Sequence, residues 1–174
     1  MHAAPAIDLG ELNGPDDATL GRDGAVYATT ESGHIVRIRS RKVVDFAFVG
    51  GRPLGIEADR DGSLVIANAL SGLQRVSANG SVTTLYGGEG ADVFANNLAI
   101  GADGTIYFSE ASRKFGTGKF RDTMEATLYD VMEHGGQGRV LAYDPATDSV
   151  EVLVDNLAYA NGIAVDAAGT FLLI

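Results

Sequence analysis

The chain has 174 residues, with 13 Lys and Arg against 23 Asp and Glu, three His, no Cys and no Trp, for a formal charge of −10. The absence of cysteine excludes disulfide staples and thiolate metal sites. The acidic balance disfavours a nucleic-acid backbone as partner, and the Arg37, Arg39, Arg41 and Lys42 charges read as a solvated strand edge, so no nucleic-acid partner is expected. The longest run without Asp, Glu, Lys or Arg is 13 residues, 62–74. A spanning helix needs about 20 apolar residues, so no membrane segment is expected. Residues 1–5 have neither a basic nor an apolar leader, so no signal peptide is visible and the cytoplasm is favoured.

In chain order, residues 1–12 read as a tail or a closing strand, with His2 in it. A strand–turn–strand unit then surrounds Asp23-Gly24, followed by strand runs at 34–39 and 43–49. The pattern restarts around Asp61-Gly62, with runs at 72–76 and 82–86, and Gly87-Gly-Glu-Gly90 reads as a loop. A third unit surrounds Asp103-Gly104 and resumes at 138–143 and 150–154 after an insertion, 112–137, whose residues 122–133 are rich in helix formers. A fourth begins around Ala168-Gly169. Asp-Gly between apolar runs is a strong hairpin signal, because glycine supplies positive φ. The glycine spacings of 38 and 42 residues (62−24 and 104−62) match a four-stranded propeller blade.

The expected fold is therefore all-β, a β-propeller of four-stranded blades. About three and a half blades are present of a probable six: 13–50, 51–90, 91–156 with the insertion, and 157–174 incomplete. A partial ring predicts either a longer parent protein or self-association through the open blade flanks. These 174 residues by themselves are expected to have negligible activity.

Aligning the units on their turn glycines places Asp16, Leu54, Asn96 and Asn161 at one position, eight before each glycine. That position recurs around one mouth of the central channel. Three of its four occupants offer side-chain oxygens, the donors a hard cation such as Ca²⁺ prefers. Asp and Asn are also ordinary turn residues, so the two readings are evenly matched on the residues alone. At the end of the second strand Thr30, Asn68 and Glu110 share a register; they read as loop supports, with Glu110 the best visible candidate for a catalytic carboxylate. His34 and His134 read as surface loop residues.

The strings Gly51-Arg-Pro-Leu-Gly55, Gly104-Thr-Ile-Tyr-Phe-Ser-Glu110, Gly138-Arg-Val-Leu-Ala-Tyr-Asp-Pro145 and Tyr159-Ala-Asn-Gly-Ile163 resemble the strictosidine synthase-like six-bladed propellers. More distantly the chain is similar to the gluconolactonase, regucalcin and paraoxonase superfamily, over its N-terminal half only. The resemblance implies one channel Ca²⁺ held by Asp16, Asn96 and Asn161, with Asp16 standing where relatives carry Glu. It implies a lactonase or arylesterase-like hydrolase acting on a small ester or lactone. Alternatives are a strictosidine synthase-type amine–aldehyde condensation and a non-catalytic propeller that binds a ligand or protein.

Overall fold

The hairpin turns set the repeat. In the computed structural model, which describes residues 8–10, 12–88, 92–116, 119–120 and 122–174, Gly24, Gly62 and Gly104 have φ of 76°, 86° and 93°. Each donates its N–H to the carbonyl three residues back, in Gly21, Asp59 and Gly101, at 3.0–3.1 Å. This is a type I turn closed by a left-handed glycine, a three-residue loop rather than a two-residue Asp-Gly hairpin. Asp23, Asp61 and Asp103 accept the N–H of Ala25, Ser63 and Thr105. In the fourth unit, where Ala168 replaces aspartate, Asp166 supplies the carboxylate and accepts from Ala168, Thr170 and Phe171.

These bonds hold the turn carboxyls below the ordinary 3.8, through backbone donors at Asp23, Asp103 and Asp166 and first through the Ser63 hydroxyl at Asp61. A depressed pKa contributes stability that is present above the unfolded value and lost as pH falls through the folded one. Melting temperature should therefore drop on acidification below about pH 4. The double variant Asp61→Asn, Asp103→Asn should flatten that limb, and an unchanged acid limb would refute the turn assignment.

Three blades are complete. The first is β1 (Ala18–Leu20), β2 (Val26–Thr29), β3 (His34–Arg39) and β4 (Lys42–Phe48); the second is β5 (Pro53–Ala58), β6 (Leu64–Asn68), β7 (Gly72–Val76) and β8 (Val82–Gly87). The third is β9 (Ala95–Ile100), β10 (Ile106–Glu110), β11 (Gly138–Asp144) and β12 (Ser149–Leu157). Each is an antiparallel meander in sequence order, and β13 (Ala164–Val165) with β14 (Leu172–Leu173) starts a fourth. The chain is thus all-β, a partial propeller. Residues 1–7 and 11, with most of the expected tail and His2, lie outside the described residues, as do Glu89 and Gly90 of the expected loop. Among the described residues no helix is long and apolar enough to cross a membrane.

Blades pack face to face through apolar layers. Ile35, Ile56, Ile66 and Val76 join the first two blades. Val65, Leu73, Phe108 and Leu141 join the second and third. Covered on both faces, β6 is buried at every residue, which explains its continuous apolar run.

The insertion contributes α1 (Thr123–Glu133), capped by the Asp122 carboxylate on Met124 N–H at 2.8 Å and ended by His134 at φ 52°. Its inward face is Thr123, Ala126, Thr127 and Asp130, at helical spacing. Met124, Leu128, Val131 and Met132 face outward, 63%, 55%, 54% and 81% exposed. The helix docks by its small, polar side.

Candidate functional site

The segments that precede the inner strands β1, β5 and β9, the Tyr159–Ile163 segment and the insertion are joined to their neighbours by hydrogen bonds. Inner strands present unpaired backbone edges that need partners. Side chains of adjacent blades supply them. The Thr29 hydroxyl accepts the Asp17 N–H and donates to the Leu54 carbonyl at 3.0 Å. Ser109 does the same between the third blade and the fourth, accepting the Asn97 N–H at 3.1 Å and donating to the Asn161 carbonyl at 2.5 Å. The Asp17 carboxylate accepts the Ile56 N–H, and Glu57 accepts the Ile100 N–H at 2.8 Å.

Between these stitches the second blade meets the third directly. A Cβ at Gly55 would lie 2.8 Å from Asn97 Cα and 3.1 Å from the Asn96 carbonyl, so only glycine lets β5 sit this close. The backbones at Asp16, Leu54, Asn96 and Asn161 therefore follow one another around the rim.

Tyr159 gathers three of these elements. Its ring lies edge-on to the buried Phe94, 6.1 Å between centroids. Its hydroxyl is 2.6 Å from Thr127 Oγ1 on α1. Thr127 spends its one hydroxyl proton on the Thr123 carbonyl at 2.7 Å, so Tyr159 donates and Thr127 accepts. The neighbouring Asn96 side chain favours the ionised phenol, and the charges of Asp130 and Asp16 oppose it. Burial is the main reason that the Tyr159 pKa is raised.

Asp16 is 42% exposed and lies 3.7 Å from the Arg52 guanidinium, which also donates to the Gly14 carbonyl. Burial of its carboxyl, opposed by Arg52 and assisted by Asp17, raises its pKa. Asn96 is 6% exposed. Asn161 is exposed, its carbonyl held by Ser109. Glu110, 1% exposed, is paired with Arg139 across the β10–β11 ends. Burial raises its pKa while Arg139 pulls it down.

The residues that share the Glu110 register also tie second strand to third. Thr30 bonds the His34 carbonyl and N–H. Asn68 accepts from Arg52 and Leu70 and donates to Gly50 and Gln74. Four residues of the mouth were not singled out from sequence: Thr29, Ser109, Tyr159 as an anchor, and Asp130. The first two had a signal, since both sit five residues after their turn glycine.

The comparisons with known proteins agree with this architecture. Residues 96–174 match the strictosidine synthase family model, and residues 1–38 match the strictosidine synthase-like N-terminal model. Among curated proteins, Protein STRICTOSIDINE SYNTHASE-LIKE 4 of Arabidopsis thaliana is 31% identical over 94% of this chain and 45% of its own length. The chain belongs to the strictosidine synthase-like superfamily. It spans about half the length of the curated strictosidine synthase-like relatives it matches. Two solved structures share the fold. A gluconolactonase from Xanthomonas campestris superimposes with TM-score 0.69 at 18% identity, covering 89% of this chain and 52% of that one. A calcium-binding regucalcin from Agrobacterium tumefaciens gives 0.66 at 13%, covering 94% and 50%.

Does this strictosidine synthase-like mouth suit a hard cation? The candidate residues Asp16, Asn96 and Asn161 offer only oxygens of the kind a hard cation takes, one carboxylate and two carboxamides. Both Asp130 carboxylate oxygens are buried with no hydrogen-bond partner among the described residues. Among those residues no three His, Cys, Asp or Glu side chains are grouped so as to hold a metal by themselves. The chemistry of the set fits Ca²⁺.

Proposed function

We propose that this chain is the metal-holding part of a calcium-dependent hydrolase of esters or lactones. The observation that supports the reading is the run of blade-to-blade contacts, the Thr29 and Ser109 hydroxyl bonds and the close approach at Gly55, beside the residues Asp16, Asn96 and Asn161. In support, the structural relatives include a gluconolactonase and a calcium-binding regucalcin by name, at identities that speak to the fold alone.

In this reading Asp16 supplies the charge and the two carboxamides supply neutral oxygens, leaving positions for substrate and water. A bound Ca²⁺ supplies Lewis acidity toward a carbonyl oxygen and toward the negative charge that develops on it. Arg52 balances Asp16 and ties its loop to Asn68. The insertion helix roofs the mouth and limits water.

Calorimetric titration of this chain with Ca²⁺ tests the metal part. A Kd below about 1 mM is expected, weakened at least tenfold by Asp16→Ala. Heat no greater than that of dilution would remove the proposal. The hydrolytic part is tested with aryl esters and lactones on the native protein that carries this chain. Turnover should fall on chelation and return with Ca²⁺; turnover indifferent to chelator would exclude the assignment.

A further inference from the structure

Asp130 is the most anomalous side chain in the molecule. It is 1% exposed, yet neither carboxylate oxygen meets a donor among the described residues. Buried polar groups nearly always find partners, and an unpaired buried carboxylate is costly.

The neighbouring polar groups cannot relieve it. Thr127, one turn earlier on the same face of α1, gives its proton to Thr123. Tyr159 gives its own to Thr127. The Asn96 amide gives Asp130 no hydrogen bond either. No donor among the described residues reaches it, and a cation is the partner that would compensate its charge. The docking of α1 also looks designed to deliver this group. The helix leaves Met124, Leu128, Tyr129, Val131 and Met132 exposed and buries a small, partly polar face that ends at Asp130.

We infer that Asp130 is a further ligand of the divalent cation, lowered onto the rim by the insertion helix and completing the oxygen set of Asp16, Asn96 and Asn161. This rests on the calcium reading above. It adds a second carboxylate from outside the blade register, and it ties the position of α1 to the presence of the ion.

The test compares wild type with Asp130→Asn and Asp130→Glu in calcium titrations and in thermal melts with and without chelator. Asp130→Asn should bind Ca²⁺ at least tenfold more weakly, and Asp130→Glu should recover most of that loss. With chelator Asp130→Asn should melt about 2–4 °C above wild type, because an uncompensated charge has gone; with Ca²⁺ the order should narrow or reverse. A merely structural aspartate would give the opposite melt, since its removal would orphan a donor. Wild type that binds Ca²⁺ with an Asp130→Asn variant of equal affinity would overturn this inference and leave the calcium reading intact. Asp130→Asn that melts below wild type in chelator would likewise overturn it, by revealing an internal partner. Wild type that binds no Ca²⁺ would remove the calcium reading itself, and this inference with it.

Discussion

Replacing Arg139 by alanine is expected to cost about 3–5 kcal/mol of folding stability, the loss seen when one member of a buried ion pair is removed. Glu110 is 1% exposed and its guanidinium partner 20%, so little water can take the place of Arg139. The pair also ties the end of β10 to the start of β11, on either side of the 112–137 insertion. The pH dependence carries a definite sign. Glu110 already sits above the ordinary 4.5 because of burial, with Arg139 opposing the rise. Without Arg139 its pKa moves up further. A raised folded-state pKa contributes stability that is complete below the unfolded value and is lost as pH rises through the folded one. The deficit of Arg139→Ala should therefore be small near pH 4 and grow toward neutrality. Denaturant melts across that range check it. Glu110→Gln in the same background should recover part of the loss at neutral pH, because the orphaned charge is gone. A deficit independent of pH, or no recovery, would mean that the pair is not what holds these strands together.

Phe94→Ala should be comparably damaging, by about 3–5 kcal/mol. Phe94 is 1% exposed and sits in the cluster of Leu54, Ala69, Ala111 and Ala126, with the Tyr159 ring against its edge. The cavity would open at the point where blades two and three, the Tyr159 segment and α1 converge. Stability is therefore only part of the expected result. Tyr159 loses its support, the Thr127–Tyr159 bond loosens and α1 detaches more often. Proteolysis within the insertion should accelerate, and calcium affinity should weaken together with it. Phe94→Leu, which keeps most of the volume, should retain both. An alanine variant that loses stability while its insertion stays protected would show that α1 is held from elsewhere.

The legible parts of this molecule are those written in short range. Asp-Gly turns at a regular spacing announce hairpins, because positive φ at glycine and an aspartate accepting the next free N–H are local requirements. Even where Ala168 breaks the pattern, Asp166 nearby restores the bond. The strand run expected over 72–76 coincides with β7, and those at 43–49 and 150–154 differ from β4 and β12 by their ends alone. The register that picks out Asp16, Asn96 and Asn161 is also local, since it only counts back from each turn.

What the sequence conceals depends on which surfaces meet. Glu110 and Arg139 are 29 residues apart, and nothing in either string announces the pair. Asp130 stands between Tyr129 and Val131 in what reads as an ordinary solvated helix. Apolar periodicity would turn Met124, Leu128 and Met132 inward, yet the small residues Thr123, Ala126 and Thr127 face the mouth because only they fit against Leu54 and Phe94. The burial of Asp130 is a consequence of that choice, visible only once Tyr159 and the insertion have been brought together. The hydroxyl stitches of Thr29 and Ser109 lie between. Their register was available, but their purpose follows from the unpaired edges of the inner strands.

The most direct measurement is a crystal structure of the chain grown with Tb³⁺ in place of Ca²⁺, located by its anomalous scattering. A single strong peak is predicted at the mouth, with oxygens of Asp16, Asn96 and Asn161 about 2.3–2.6 Å away and Arg52 drawn back from Asp16. A peak bound only by the exposed turn aspartates, or a mouth in which Arg52 keeps Asp16 and no ion enters, would contradict it.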